Sequence, residues 1–175
     1  DLILNLNSLN YLNIDNIKLK ENKNIRCCIK SIKYLFLINL KSDIQFLGFN
    51  HHLITELYID NVLQFTKQTN LFIKSAIISI NIKRLTLLNM EFEYELELTR
   101  LNIYNLKIKN CKNIKFKEID NFKNMRNLIL YDCPDLELKL DINLFKKIKN
   151  KNLIVEYKNI NFITDKKYEN KLTIA

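Results

Sequence analysis

The stretch Ile103-Tyr104-Asn105-Leu106-Lys107-Ile108-Lys109-Asn110-Cys111 returns further along the chain as Met125-Arg126-Asn127-Leu128-Ile129-Leu130-Tyr131-Asp132-Cys133. In both copies apolar residues hold the first, fourth and sixth positions, and a polar Asn or Asp precedes a cysteine. Working toward the N-terminus, the phrase recurs as Leu9-x-x-Leu12-x-Ile14-Asp15-Asn16-Ile17 and Ile32-x-x-Leu35-x-Leu37-Ile38-Asn39-Leu40. It recurs again as Ile54-x-x-Leu57-x-Ile59-Asp60-Asn61-Val62 and Ile82-x-x-Leu85-x-Leu87-Leu88-Asn89-Met90. Toward the C-terminus a degraded copy keeps Leu153-x-Val155 and Tyr157. Successive copies start 21 to 28 residues apart.

The spacing within the phrase predicts its local structure. Apolar residues two apart, such as Leu106 and Ile108, project from the same face of a short strand, and the residues between them project from the other. One copy has too little apolar surface to fold alone, so the copies must stack as neighbouring strands of a parallel sheet to close a core. Asn16, Asn39, Asn61, Asn89 and Asn110, with Asp132 in the same slot, are expected to satisfy backbone groups where the chain leaves the sheet.

The phrase resembles the leucine-rich repeat, L-x-x-L-x-L-x-x-N/C-x-L, from Leu9 to Val155. The family's Asn/Cys slot is filled here by Ile17, Leu40, Val62, Met90, Cys111 and Cys133, with the Asn one residue earlier. Only the last two copies match fully, which identifies a divergent subclass with a more apolar interior ladder. The resemblance implies an α/β leucine-rich-repeat solenoid, a curved parallel sheet backed by mixed short helices and strands. It forms a single domain over residues 1–175 with about seven repeats. In the connections, 116–125 (FKEIDNFKNM) and 141–149 (DINLFKKIK) carry apolar residues at three-to-four spacing and read as short helices, the second capped by Asp141. Segments 71–82 (LFIKSAIISINI) and 91–98 read as strand, with Glu91, Glu93, Glu95 and Glu97 forming an acidic outer row. Leu172-x-Ile174 looks like the start of another strand, so the chain reads as a piece of a longer array whose native N-terminus is missing.

Composition excludes several function classes. The chain is 47% hydrophobic over 175 residues, enough to bury a core, which rules out a disordered tail. Gly48 is the only glycine, so neither a phosphate-cradling loop nor a dinucleotide-binding turn can be built. No uncharged apolar run reaches the roughly 18 residues of a membrane span. The surfeit of Asn, Ile and Lys, with few Ala, Gly, Pro and Arg, is what a very AT-rich genome produces, so the formal charge of +9 carries less weight than its size suggests. That charge is uneven: residues 101–175 hold 16 bases and 9 acids, against 12 and 10 before them.

Candidate chemistry is thin. Cys111 and Cys133 occupy one slot of adjacent repeats and read as buried apolar filler, since a metal site would need further ligands that the repeat lacks. Cys27-Cys28 reads as filler in a connection, and His51-His52 as a loop pair. No nucleophile, paired-acid or triad arrangement appears, so the chain reads as a non-enzymatic module with no cofactor and no metal. Four irregular cysteines and no Asn-x-Ser/Thr sequon favour an intracellular setting.

The outward strand positions line the concave face that solenoids use for binding. Tyr34, Phe36, Ile38, Tyr58 and Tyr131 there form an aromatic, apolar group suited to a protein partner. The alternative is polyanion binding, to nucleic acid or an anionic surface, through Lys107, Lys109, Lys112, Lys115 and Lys117. A third reading is a substrate-recruiting adaptor for a domain outside this sequence.

Overall fold

A computed structural model of the chain describes residues 2–5, 9–18, 25–28, 31–41, 44–47, 53–62, 81–98, 103–116, 124–140, 146 and 153–164. Its frame is a seven-stranded parallel sheet with one strand from each copy of the phrase. These strands are β2 (Tyr11–Asp15), β4 (Tyr34–Ile38), β6 (Glu56–Asp60), β7 (Arg84–Leu98), β8 (Asn105–Phe116), β9 (Asn127–Tyr131) and β11 (Ile154–Lys158). They lie in chain order, β2-β4-β6-β7-β8-β9-β11, each hydrogen-bonded to the next. The chain is a parallel β-solenoid.

Within the phrase the register is uniform from strand to strand. Leu12, Leu35, Leu57, Leu85, Leu106, Leu128 and Val155 form one inward row, and Ile14, Leu37, Ile59, Leu87, Ile108, Leu130 and Tyr157 the next. Alternation decides burial: Leu35, Leu57, Leu85 and Leu128 are fully buried, whereas outward neighbours such as Lys107 are exposed. The apolar residue opening each phrase, from Ile32 to Leu153, is also buried, and so are Leu40, Val62, Met90, Cys111 and Cys133 in the slot after the Asn. Four rows of one continuous core thus come from a nine-residue phrase.

The Asn slot has a different basis from the one its polarity suggested. Asn16, Asn39, Asn61, Asn89, Asn110 and Asp132 all have φ between 48° and 54°, the left-handed region. With almost no glycine available, Asn is the residue that enters that region at least cost. Their backbone N–H groups donate forward to the next coil, as in Asn39 N to Asp60 O at 2.9 Å and Asn61 N to Leu88 O at 3.0 Å. Several of their side chains bond other side chains: Asn61 Nδ2 donates to Asn39 Oδ1 and Asn110 Nδ2 to Asn89 Oδ1, both at 2.9 Å, and Asn89 Nδ2 to Asp60 Oδ1 at 2.8 Å. The corner turns the following residue inward, which is why an apolar residue fills the next slot.

The backing departs from the expected mixture of helices and strands. Among the described residues it is strand: β1 (Leu2–Asn5), β3 (Ile25–Cys28) and β5 (Ile44–Leu47) form a parallel sheet, β10 (Glu137–Leu140) pairs with β12 (Asn161–Thr164), and β7 and β8 continue past their corners. Helical geometry is confined to isolated positions such as Lys146. Period-two burial explains this, since Leu136 and Leu138 point inward about an outward Glu137, as Leu96 and Leu98 do about Glu97. The α/β class is therefore corrected to β. Of the segments expected as helices, Phe116 instead ends β8, while 117–123 and all of 141–149 except Lys146 lie outside the described residues. Segment 91–98 is strand as expected, with Glu91 and Glu95 exposed, and 71–80 lies outside the described residues. No helix among the described residues is long and apolar enough to cross a membrane.

Candidate functional site

The outward side chains of the seven strands form three rows across the sheet. The middle row runs Asn13, Phe36, Tyr58, Thr86, Lys107, Ile129, Glu156, because each strand pairs in register with the next. Strand spacing brings the aromatics of adjacent coils into contact. Tyr11 and Phe36 have ring centroids 5.2 Å apart, and Phe36 and Tyr58 stack at 5.8 Å with planes 28° apart. Tyr34, 41% exposed, sits in the row beside them on the same strand as Ile38, which is half-buried. Four expected contact residues, Tyr34, Phe36, Ile38 and Tyr58, thus lie together on β4 and β6. Tyr131 stands apart from them on β9, where its hydroxyl donates to Glu156 at 2.9 Å.

Both tyrosine hydroxyls in contact with carboxylates are held protonated. Burial, then the neighbouring Asp60 carboxylate 3.3 Å away, pushes the Tyr58 pKa up. The hydrogen bond to Glu156 does the same for Tyr131. Between these two aromatic positions lies an open trough of about 410 Å³, lined by Glu56, Arg84, Thr86, Asn105, Lys107, Asn127, Ile129 and Glu156 among others. Arg84 meets Glu56 at 3.2 Å, and Asn127 Nδ2 donates to Asn105 Oδ1 at 2.8 Å.

The expected lysines divide between two faces. Lys107 and Lys109 are exposed on the outward rows and have no carboxylate partner among the described residues. Lys112 and Lys115 lie beyond the Asn110 corner, opposite the acidic row of β7, where Lys112 pairs with Glu91 at 3.4 Å and Lys115 pairs with Glu95. The Glu95 carboxylate raises the Lys115 pKa. Lys117, like His51 and His52, lies outside the described residues.

One cluster escaped the sequence reading. The Tyr104 ring lies between cations, with Lys83 Nζ 5.1 Å and the Arg126 guanidinium 5.5 Å from its centroid. All three occupy the second position of the phrase, so stacking equal positions of successive copies would have revealed it.

All four cysteines are free thiols. Contact with Cys133, then burial, pushes Cys111 up, while the same contact draws Cys133 down. Cys27, placed in β3 rather than in an irregular connection, is buried, and burial pushes its thiol to about 11. A thiol that ionises later in the folded chain than in the unfolded one stabilises the fold fully below the unfolded value of 9.0, and that contribution is lost as pH rises toward about 11. Urea midpoints should therefore fall between these pH values, and Cys27→Ala should flatten that part of the slope. An unchanged slope would remove Cys27 as its source. Among the described residues no three metal-ligating side chains cluster. Compared with protein-family models, with curated proteins and with solved structures, the chain matches none of them.

Proposed function

We propose that this chain is a divergent leucine-rich-repeat module that binds a protein, without catalysis, through the outward face of its seven-stranded sheet. The observation that carries the reading is the aromatic run Tyr11, Phe36 and Tyr58, stacked across three coils on a sheet face that no described segment covers. Aromatic side chains give large contact area for little lost rotamer freedom, and for this reason interfaces concentrate binding energy in them. The repeat phrase supports the family assignment, and its Asn-before-Cys departure marks the subclass. Polyanion binding takes second place because, of its candidate lysines, Lys112 and Lys115 already face Glu91 and Glu95, while Lys107 and Lys109 stand without a carboxylate among the described residues.

Affinity capture from the native cell, at moderate and high salt, tests the reading. Wild type should retain a defined protein at high salt, and Tyr34→Ser with Phe36→Ser should lower its recovery at least about tenfold, the loss expected when central aromatic anchors are removed. Unchanged recovery by a variant with wild-type circular dichroism would refute the surface assignment. Nucleic acid alone, released as salt rises, would favour the lysines.

A further inference from the structure

The outward face is electrostatically divided. On one side of β7 the outward positions of β2, β4 and β6 hold Asp15, Glu56 and Asp60 and no base. On the other side, β8, β9 and β11 hold Lys107, Lys109 and Lys158 against a single acid, Glu156. Asp15, Lys109 and Lys158 form no ion pair among the described residues. The acidic half also carries the aromatic stack, so each half lacks what the other has.

We infer that the protein docked on this face is a second copy of the chain, related by a two-fold axis that runs along β7. The inference rests on the protein-binding reading above and names its partner. A two-fold axis makes a face its own complement, and an axis parallel to the strands keeps each outward row opposite itself while reversing strand order. β2 then lies against β11 of the second copy, β4 against β9, and β6 against β8. Asp15 meets Lys158 and Asp60 meets Lys109, each pair occurring twice. Phe36 lies on Ile129, Ile38 on Tyr131, and Leu88 on its own copy at the axis. The single like-charge meeting is Arg84 on Arg84, and each of these is already held by Glu56 at 3.2 Å.

Area sets the strength of the pairing. Seven strands at about 4.8 Å spacing and five residues at about 3.3 Å give a face of roughly 29 by 16 Å, on the order of 500 Å². Two such faces bury on the order of 1,000 Å², the lower end of specific interfaces, so the dimer is weak and reversible. Because its ion pairs are partly exposed, salt loosens it.

Sedimentation velocity against protein concentration provides the test, using wild type, Asp15→Lys/Asp60→Lys, and Lys109→Glu/Lys158→Glu. In the proposed pairing each variant opposes like charges when alone, whereas a mixture of the two restores all four ion pairs. Wild type should dimerise, with an affinity that falls at least about tenfold between about 0.05 M and 0.5 M salt. Each variant alone should be monomeric at concentrations where wild type pairs, and their equimolar mixture should dimerise. Far-UV circular dichroism and urea midpoints near wild type confirm that the variants fold. A wild type that stays monomeric overturns the inference, as does a mixture that fails to rescue. If wild type is monomeric while Phe36→Ser still abolishes capture of a different protein, self-pairing alone has failed. Monomeric behaviour together with intact capture by Phe36→Ser would remove both readings.

Discussion

Replacing Leu57 by Ala is expected to lower the free energy of urea unfolding by about 3 kcal/mol, the middle of the range for a buried leucine. Leu57 is fully buried on β6, with Leu35 and Leu85 beside it in the same inward row. Truncation leaves a cavity at the centre of that row, and neighbours fixed by register on both sides have little freedom to collapse into it. Leu12 occupies the same row on the edge strand β2, where it is only half-buried and has a neighbouring strand on one side. Leu12→Ala should cost about 1 kcal/mol, because less area leaves water when that residue folds. The gradient from centre to edge is the signature of a stacked row. Equal costs at the two sites would mean that burial does not follow the coil order.

A second large effect belongs to the corner. Asn89 has φ of 51°, donates its amide to Asp60 Oδ1 at 2.8 Å, and accepts from Asn110 Nδ2 at 2.9 Å. Asn89→Gly keeps the backbone conformation and deletes both exposed side-chain bonds, so it should cost about 1 kcal/mol. Asn89→Ile deletes the same bonds and adds the left-handed penalty of a β-branched residue, for a total of roughly 2–4 kcal/mol. The ordering separates backbone conformation from hydrogen bonding. If Gly and Ile cost the same, the side-chain bonds alone maintain the corner.

How far these features could be read in advance depends on the residue type that signals them. The strands were legible because alternation is a binary property: Leu106 and Ile108 point inward, Lys107 and Lys109 outward, and every copy repeats the choice. Stacked copies then placed Phe36 beside Tyr58 with no further information. The Asn position was legible, but its physics was not, since one side chain can cap a backbone group, enter the left-handed region or bond its own kind. In the backing, the two-residue alternation of 91–98 was enough to mark it as strand, whereas the mixed spacing of 116–125 was read as helix although Phe116 ends β8. Lys112 and Lys115 stood among the candidates for polyanion binding because their partners, Glu91 and Glu95, belong to the preceding coil. Pairing between coils depends on where corners fall, and a three-residue surplus in β7 between Glu91 and Leu96 sets this offset.

The side-chain bonds along the corner join residues about one coil apart, 21 residues for Asn110 to Asn89 and 22 for Asn61 to Asn39. Every contact of this kind is local to two neighbouring coils, so a pull applied to the two chain ends loads the outermost interface first and leaves interior ones slack. The molecule would come apart under tension by peeling, coil after coil, with each step releasing a similar length of chain. Extension rather than force would carry the record of how many coils remain.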